Sequence, residues 1–224
     1  MTKAERLEKQ KERLEEMLVF ERELWSLGKD FIAGVDEVGR GPLAGPVVTA
    51  AVILPKDFQL LGVDDSKKLS PKKRDELFDQ IKKAAVCWAI GRREPDRIDE
   101  INILEATKEA MADAINSLAV KPDHVLIDAV KLPGVKIPQT SLIKGDARSV
   151  SIAAASIIAK VTRDREMVEM DKIWPGYSFA ANKGYGTAAH LAALQRLGPC
   201  PQHRRSFAPV AAALAGQSAQ KSGY

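Results

Sequence analysis

Four acidic residues stand where carboxylates could act together. Asp36 and Glu37 are adjacent at the end of a short apolar run, and Gly39-Arg40-Gly41 follows them. Asp128 ends a second apolar run, VLID, and Asp146 precedes a helical pattern of small residues. Converging carboxylates repel one another unless a cation neutralises them, and hard divalent cations prefer oxygen ligands. The pattern therefore predicts a site for two divalent ions, the clamp used in phosphodiester hydrolysis.

Each acid alone also has an ordinary interpretation, since a carboxylate at a strand end is most often a cap or a surface ion-pair partner. The combination favours a shared site, because acids end two predicted strands and glycines lie beside one of them. Neighbouring residues on a strand point to opposite faces of the sheet. Asp36 and Glu37 can therefore serve one site only if their strand ends there, and we expect Gly39 and Gly41 to provide the bend.

Hydrophobic patterning predicts the elements that would position these acids. Apolar runs predict strands at residues 31–36, 47–54, 87–91 and 125–128. Apolar spacing and capping signals predict helices at residues 3–27, 71–83, 98–118, 149–170 and 187–197. The small residues SVSIAAASIIAK at the start of the fourth helix predict close packing against the sheet. Strands followed by alternating strands and helices favour an α/β fold with a mixed sheet.

The composition is typical of a globular protein from a reducing compartment. Hydrophobic residues make up 45% of the 224 residues, and the two cysteines, Cys87 and Cys200, form no C-x-x-C pair. No apolar run approaches the ~20 residues of a membrane span, and the charged N-terminal segment is unlike a signal peptide. We therefore expect a cytoplasmic protein with no membrane association.

The charge is unevenly distributed along the chain. Residues 131–224 contain thirteen Lys and Arg against five Asp and Glu, whereas residues 31–130 contain fourteen against seventeen. A basic C-terminal part behind an acidic middle fits a polyanionic partner, and nucleic acid is the candidate. The alternative is an ordinary solvated basic surface.

Seven ordered segments carry a family resemblance over residues 32–209. They read AGVDEVGRGPLAGPVVTAAVIL, DDSKKLS, INILEATKEAM, VLIDA, KGDARSVSIAAASIIAKVTRD, KGYGT and HRRSF. In content and order they closely resemble bacterial ribonuclease HII, the type 2 RNase H family. The resemblance implies an RNase H-like fold, a five-stranded mixed sheet flanked by helices. We expect an N-terminal helical extension at residues 1–30, a catalytic domain at 31–215 and a disordered tail at 216–224.

The resemblance also implies an activity. Members of this family are endonucleases that cut the RNA strand of RNA–DNA hybrids and cut 5′ to a single ribonucleotide embedded in duplex DNA. Their products carry 3′-hydroxyl and 5′-phosphate ends, and Mn²⁺ or Mg²⁺ is required, with two ions in the catalytic complex. We expect the chain to act on such nucleic acids as a monomer, in DNA replication and repair.

Residue by residue, the resemblance implies the site. Asp36, Glu37, Asp128 and Asp146 match the family's catalytic, metal-binding carboxylates. The remaining matches are substrate contacts: Gly39, Arg40 and Gly41 at the ribose 2′-hydroxyl, Tyr185 at the ribonucleotide-to-DNA step, and Ser66, Lys67, Arg148 and Ser149 in further contacts. His190 and His203 could be mistaken for catalytic bases, and we interpret them as structural or phosphate-side groups.

Three positions depart from the family pattern. Trp174, Ser178 and Asn182 stand where tyrosine, glycine and histidine are expected. None of them is a proposed metal ligand, so the departures concern the local substrate wall. Two other interpretations stay open at this point: a ribonuclease HIII-like nuclease that cuts long hybrids only, and a non-catalytic nucleic-acid binding protein.

Overall fold

The centre of the molecule is a mixed sheet of five strands. The computed structural model describes the backbone of residues 2–221 and the side chains of residues 2–216. The strands are β1 (Ile32–Val38), β2 (Val47–Ile53), β3 (Cys87–Arg93), β4 (His124–Asp128) and β5 (Gln139–Leu142). Their spatial order is β3-β2-β1-β4-β5, with antiparallel pairs on the β3 side of β1 and parallel pairs on the β5 side. The predicted five-stranded mixed sheet flanked by helices is confirmed.

Nine helices surround this sheet within residues 2–221. They are α1 (Lys3–Met17), α2 (Val19–Ser26), α3 (Pro71–Ala84), α4 (Pro95–Ile101), α5 (Ile103–Asn116), α6 (Val150–Ile173), α7 (Phe179–Asn182), α8 (Ala188–Leu197) and α9 (Ala208–Lys221). Helices α3 and α6 each begin after a serine cap, of which the sequence indicated the one at Ser70. Ser70 and Ser149 accept hydrogen bonds from the backbone N–H groups of Lys73 and Ile152.

The sheet is covered on both faces. Ala50 and Val52 of β2 pack with α6, α3 and buried residues of α1 in the largest apolar cluster. Ala51 and Ile53, which alternate with them, pack on the other face against α5. The N-terminal helices thus contribute side chains to the same core as the sheet, and the predicted domain boundary at residue 30 stays a prediction.

Helix α6 lies in direct backbone contact with β1. A Cβ atom added to Gly34 would lie 2.0 Å from the backbone carbon of Ser151, far inside van der Waals distance. Only glycine leaves room for this approach. The close packing predicted from the small residues of this helix is therefore confirmed.

The structure interrupts two predicted helices. The segment at 3–27 is broken at Leu18, which is the C-cap of α1 and the N-cap of α2. The segment at 98–118 is broken at Asn102, where φ is 71° and the side chain accepts from the N–H groups of Leu104 and Glu105. An asparagine tolerates this left-handed φ better than most residues. Apolar periodicity continues across both breaks, so the sequence did not reveal them.

The structure also contains elements that the sequence did not predict. Strand β5 was missed, and β1 continues through Val38 instead of ending at Asp36. Helix α9 was missed as well, and it includes residues 216–221 of the predicted disordered tail. Residues 222–224 of that tail lie outside the described residues. Within the described part of the chain, no helix is long and apolar enough to cross a membrane.

Candidate active site

Two of the predicted acids follow paired residues of neighbouring parallel strands. Val35 of β1 pairs with Ile127 of β4, so Asp36 and Asp128 come next on adjacent strands. The side chain of Asp36 is buried, and its Oδ1 accepts from the N–H of Glu37 at 2.8 Å. The Oδ1 of Asp128 accepts from the N–H of Gly145 at 2.7 Å. The sheet therefore brings these two carboxylates to one edge, as the strand-end pattern predicted.

The backbone places Glu37 near the other acids in a way that the sequence did not predict. Strand β1 runs on to Val38, so the predicted strand end at Asp36 is wrong, and the next residue is Gly39, where φ is 92°. Strand β4 ends at Asp128, and Ala129 turns the chain away with φ of 51°. Burial raises the pKa of Glu37 and the negative charge of Asp128 adds to the shift, so the two carboxylates lie near one another. The Oε2 of Glu37 is buried and receives no hydrogen bond from the part of the chain that the structure describes.

The fourth acid lies in the connection between β5 and α6. Asp146 belongs to a 3-10 turn at Gly145–Ala147, and its side chain is buried. Its Oδ2 lies 3.8 Å from the Nζ of Lys67, whose side chain is 82% exposed. Because Gly145 donates to Asp128, the turn that carries Asp146 is joined to the end of β4.

The pKa shifts show that the four acids share one electrostatic environment. Burial raises the pKa of Asp36 well above its usual value, and the negative charges of Glu37 and Asp128 add to the shift. Burial also raises the pKa of Glu37, where Arg40 opposes the shift and Asp128 adds to it. The pKa of Asp146 is raised by burial and then by the charges of Asp65 and Asp128. The acids repel one another in the absence of a cation.

Asp65 is an acid near the site that the sequence reasoning did not select. Its charge raises the pKa of Asp146 and that of Lys67, where burial acts in the opposite direction. Its own carboxylate accepts from the N–H of Lys67 at 2.9 Å and caps the 3-10 turn Ser66–Lys68. The only available signal was its place in the DDSKKLS segment, where two adjacent acids gave no reason to prefer one.

The donor chemistry of the site fits a hard divalent cation. The acids offer carboxylate oxygens alone, and one of those oxygens, Glu37 Oε2, is buried and without a donor among the described residues. In the described part of the chain, however, no three His, Cys, Asp or Glu side chains are already arranged to hold an ion. The metal-ligand role of Asp36, Glu37, Asp128 and Asp146 therefore stays a prediction, supported by oxygen chemistry and mutual repulsion.

Residues 39–46, the glycine–arginine loop, are held from behind by a buried arginine. Arg204 is fully buried and donates to the carbonyls of Gly39, Arg40 and Gly45 at 2.5–3.0 Å. Burial, followed by the nearby charge of Arg163, lowers the pKa of Arg204 to about 9. Gly39 has φ of 92°, which favours glycine. The loop conformation thus depends on a guanidinium that is remote in sequence.

A second buried arginine connects this loop to the segment that carries Tyr185. Arg163 of α6 donates to the carbonyls of Pro46, Ala44 and Lys183 at 2.9, 3.1 and 2.9 Å. A Cβ atom on Gly39 would lie 2.3 Å from its Nε. Sequence reasoning missed Arg163 and Arg204, because arginine is usually exposed and nothing in the pattern indicates burial.

Tyr185 faces the glycine–arginine loop. Its side chain is 43% exposed, and its Cε1 would lie 3.7 Å from a Cβ atom placed on Gly41. Leu43 of the loop donates its N–H to the carbonyl of Gly184 at 2.8 Å. Gly41, Tyr185 and Arg40, which lies 3.4 Å from Glu37, therefore form one exposed surface next to the acids.

Comparison with known proteins identifies the family. The family model for ribonuclease HII matches residues 33–210. The chain belongs to the ribonuclease HII family. The enzyme is 60% identical to ribonuclease HII of Enterococcus faecalis over 203 residues, 91% of this chain and 79% of that protein. It is 58% identical to that of Geobacillus thermodenitrificans over 214 residues, 96% and 82% of the two chains.

A solved structure supports the same fold. The crystal structure of ribonuclease H2 from Pyrococcus horikoshii matches with a TM-score of 0.69 at 28% sequence identity. The match covers 83% of this chain and 98% of that one. Membership of the family makes the enzyme a hydrolytic ribonuclease H that acts on nucleic acid, and the family uses divalent metal.

Two of the enzyme's predicted substrate contacts point inward. The hydroxyl of Ser149 donates to the buried carboxylate of Glu21 at 2.6 Å, and Ser149 is fully buried. The hydroxyl of Ser66 is buried and hydrogen bonded to that of Ser156 at 2.9 Å. The side chains of both serines therefore stabilise the fold behind the site, and their predicted contact with substrate stays a prediction.

Two of the other predicted substrate contacts, Lys67 and Arg148, are exposed. Lys67 extends into solvent near Asp146, and the guanidinium of Arg148 lies 5.0 Å from the ring centre of Phe20.

Among the positions that depart from the family pattern, Asn182 shapes the turn before Tyr185, because its side chain accepts from the N–H of Gly184 and donates to the carbonyl of Tyr177. Ser178 adopts a left-handed φ of 59°, a conformation that suits the glycine expected there.

Proposed function

We propose that the enzyme cuts the RNA strand of RNA–DNA hybrids and cuts 5′ to a single ribonucleotide in duplex DNA, leaving 3′-hydroxyl and 5′-phosphate ends. One observation carries the proposal: the acids that would act on the phosphate lead directly into the exposed loop that would read the sugar. Glu37 lies two residues before Gly39 and four before Gly41, on one continuous stretch of chain that also contains Asp36. Recognition and hydrolysis would then be coupled by position.

Asp36, Glu37, Asp128 and Asp146 are the residues that would hold two Mn²⁺ or Mg²⁺ ions. Bound ions would supply an activated water and charge stabilisation of the leaving 3′-oxygen. The protein prepares the site for cations by burying acids that raise one another's pKa. Bound cations would neutralise these carboxylates, and the relief of their repulsion would favour ion binding.

The glycine–arginine loop is the proposed reader of the ribose. A ribonucleotide in DNA differs from its neighbours by one 2′-hydroxyl, and a hydrogen bond to that oxygen requires an approach of about 3 Å. Gly41 leaves the loop surface open, and Arg204 and Arg163 occupy carbonyls on the buried side. Backbone N–H groups can then face the substrate while the carbonyls face the guanidinium groups.

Tyr185 and the exposed cations complete the proposed contacts. Tyr185 would pack against the sugar on the DNA side of the junction, next to Gly41. Arg40, Lys67 and Arg148 would contact phosphates, which hold the duplex without reading its bases. All of these groups belong to one chain, so we propose that the enzyme acts as a monomer.

Cleavage mapping tests the proposal. A duplex with one ribonucleotide, and an RNA–DNA hybrid of the same sequence, are each incubated with Mn²⁺, Mg²⁺ or EDTA. We expect a cut on the 5′ side of the ribonucleotide with either metal and no cut in EDTA. Cleavage of the long hybrid alone would instead favour the specificity of a ribonuclease HIII-like enzyme. Tight hybrid binding without cleavage in any metal would indicate a nucleic-acid binding protein.

A further inference from the structure

Two buried histidines connect the end of the glycine–arginine loop to Tyr185. His190 lies on α8, and His203 lies between α8 and α9, with side chains that are 0% and 1% exposed. Their Nε2 atoms lie 3.0 Å apart. The proposed reaction gives neither histidine a role, and such burial keeps both from contact with substrate.

The hydrogen bonds determine where the protons are. The backbone N–H of Cys200 can only donate, so His203 Nδ1, 3.0 Å away, is an acceptor, and the Cys200 thiol, whose Sγ lies 3.2 Å from the same nitrogen, can donate to it as well. A neutral imidazole carries one N–H, which places the proton of His203 on Nε2. His203 then donates to His190 Nε2, and the proton of His190 lies on Nδ1. That proton points to the carbonyl of Tyr185, 2.9 Å from His190 Nδ1.

No charged form of either ring satisfies this arrangement. A protonated His190 would turn an N–H toward the N–H of His203, and a protonated His203 would turn one toward the N–H of Cys200. Tyr177 and Phe179 surround the pair, with ring centres 4.9 Å from His203 and 5.4 Å from His190. Burial in this aromatic setting lowers the pKa of both rings, that of His203 to about 4. The pair is therefore neutral at pH 7.

Each end of this hydrogen-bonded chain belongs to one side of the proposed ribose site. The backbone of His203 forms an isolated β-bridge with Ala44, and the next residue, Arg204, donates its N–H to the carbonyl of Leu43 at 2.8 Å. The other end is the carbonyl of Tyr185, which also accepts from the N–H of Thr187 at 2.8 Å. The two rings thus bridge the glycine–arginine loop and the tyrosine that faces it.

We propose that His203 and His190 are positioning residues that set the place of Tyr185 relative to Gly39–Gly41 and thereby contribute to recognition of the ribonucleotide-to-DNA junction. The inference rests on the proposed function, because a defined position of Tyr185 matters only if Tyr185 packs against the substrate sugar. The histidines act through the backbone of Tyr185 and take no part in the chemistry.

Two substitutions at one position separate the hydrogen bond from the bulk of the ring. In His190→Gln the amide occupies the place of Nε2, so the contact with His203 can persist while the donor to Tyr185 is lost. In His190→Asn the amide occupies the place of Nδ1, so the donor to Tyr185 can persist. We expect His190→Gln to lower kcat/KM on the single-ribonucleotide duplex about fivefold, the size of one neutral hydrogen bond. His190→Asn should keep most of the wild-type kcat/KM on the same duplex.

A double-mutant cycle with Tyr185→Ala decides whether His190 acts through Tyr185. In the Tyr185→Ala background we expect His190→Gln to cause no further loss, because the side chain that the histidine positions is gone. A loss of the same factor in both backgrounds would overturn the inference and indicate a general effect on folding. Unchanged cleavage by His190→Gln, with Tyr185→Ala impaired, would overturn it while leaving the proposed function intact.

Failure of the inference is distinguishable from failure of the proposed function, which fails only if the wild type itself does not cut the single-ribonucleotide duplex. If Tyr185→Ala alone cuts the single-ribonucleotide duplex at the wild-type rate, Tyr185 does not read the junction, and the inference falls together with the proposed role of Tyr185 but not with the cleavage activity. If His190→Gln does not fold, as judged by its melting temperature, His203→Asn takes its place in the cycle. That variant keeps an acceptor for the N–H of Cys200 and removes the donor to His190, and the same two patterns of loss support or overturn the inference.

Discussion

The acid cluster and the glycine–arginine loop are neighbours in the chain, but their polar groups are satisfied very differently. Asp36, Glu37 and Asp146 are buried or half-buried acids whose pKa values are raised, and one oxygen of Glu37 has no donor among the described residues. Behind the loop, two guanidinium groups donate to a series of carbonyls at ordinary distances. Under the proposed function a cation completes the first region, whereas the hydrogen bonds of the second are already complete.

This contrast separates residues that matter for reaction from residues that matter for folding. Removal of an acid relieves repulsion, so it should cost activity without costing stability. Removal of a buried arginine leaves several carbonyls without donors, so it should cost stability whatever it does to the reaction. The following substitutions test the contrast, from the largest expected change in free energy to the smallest.

The loop side is tested by Arg204→Met. The substitution leaves the carbonyls of Gly39, Arg40 and Gly45 without this donor, and buried acceptors that lose their donors cost about 1–3 kcal/mol each. We expect the free energy of unfolding in urea to fall by about 3 kcal/mol or more. The neighbouring Arg205 is exposed, and Arg205→Met provides the control with a change near zero. Equal losses in the two variants would mean that the guanidinium of Arg204 does not hold the loop.

The acid side is tested by Asp36→Asn. If Asp36 holds metal, the rate of cleavage should fall at least about a hundredfold, roughly 2.7 kcal/mol of barrier. The melting temperature should stay the same or rise, since a buried charge is removed. Asp79 is exposed on α3, so Asp79→Asn is the matched control. Near-normal cleavage by Asp36→Asn at matched metal concentration would end the assignment of this acid as a ligand.

The neutral histidine pair gives the loop side a pH dependence of its own. Burial lowers the pKa of His203 to about 4, so the unfolded chain binds a proton near pH 6.5 and the folded chain does not. Stability is therefore lost as the pH falls, by about 2 kcal/mol between pH 7 and pH 5 for one such group. The measurement is urea unfolding at both pH values for the wild type and His203→Asn. Parallel losses in the two proteins would show that His203 does not contribute.

The smallest expected effect separates the space for substrate from the fold of the loop. In Gly41→Ala the new Cβ would lie 3.7 Å from Tyr185, an ordinary contact, so the protein can accept it. We expect unchanged stability and a roughly tenfold lower rate on the single-ribonucleotide duplex, because the methyl group blocks close approach to the sugar. Gly134→Ala, where the added atom meets nothing within 4 Å, is the control. Wild-type cleavage by Gly41→Ala would show that this glycine only permits a turn.

Much of the fold was predictable because its strands carry clear apolar runs, such as VVTAAVI in β2. Strand β5, QTSL, is short and lies at the edge of the sheet, and only Leu142 in it is buried, so no pattern indicated it. Helix α5 follows α4 with Ile101 and Ile103 on either side of Asn102, and the apolar spacing hides the break. Apolar periodicity indicates which side chains are buried, but it does not indicate a break at one residue with a positive φ, such as Asn102.

Asp128 could be selected because it ends a strand, and Asp36 and Glu37 because they lie near the end of another, but the surroundings of these acids could not be predicted. Arg163 and Arg204 belong by type to the surface, and only the folded chain shows that their donors meet carbonyls of a loop distant in sequence. Ser66 and Ser149 were placed with the substrate contacts, yet their hydroxyls bond to Ser156 and Glu21. A side chain's neighbours depend on contacts between distant segments, and one sequence does not contain them.

The contact between Gly34 and Ser151 has a mechanical consequence. Side chains elsewhere in the core can change rotamer and shift the elements they separate, but here two main chains touch with nothing between them. Such a contact has low compressibility, and it contains no side chain that could change rotamer. Asp36 lies two residues beyond Gly34, and Asp146 lies five residues before Ser151. The distance between these two carboxylates therefore depends on a contact that fixes the separation of the β1 and α6 backbones. Substitutions that repack the rest of the core should therefore leave the separation of the two backbones at Gly34 and Ser151 unchanged.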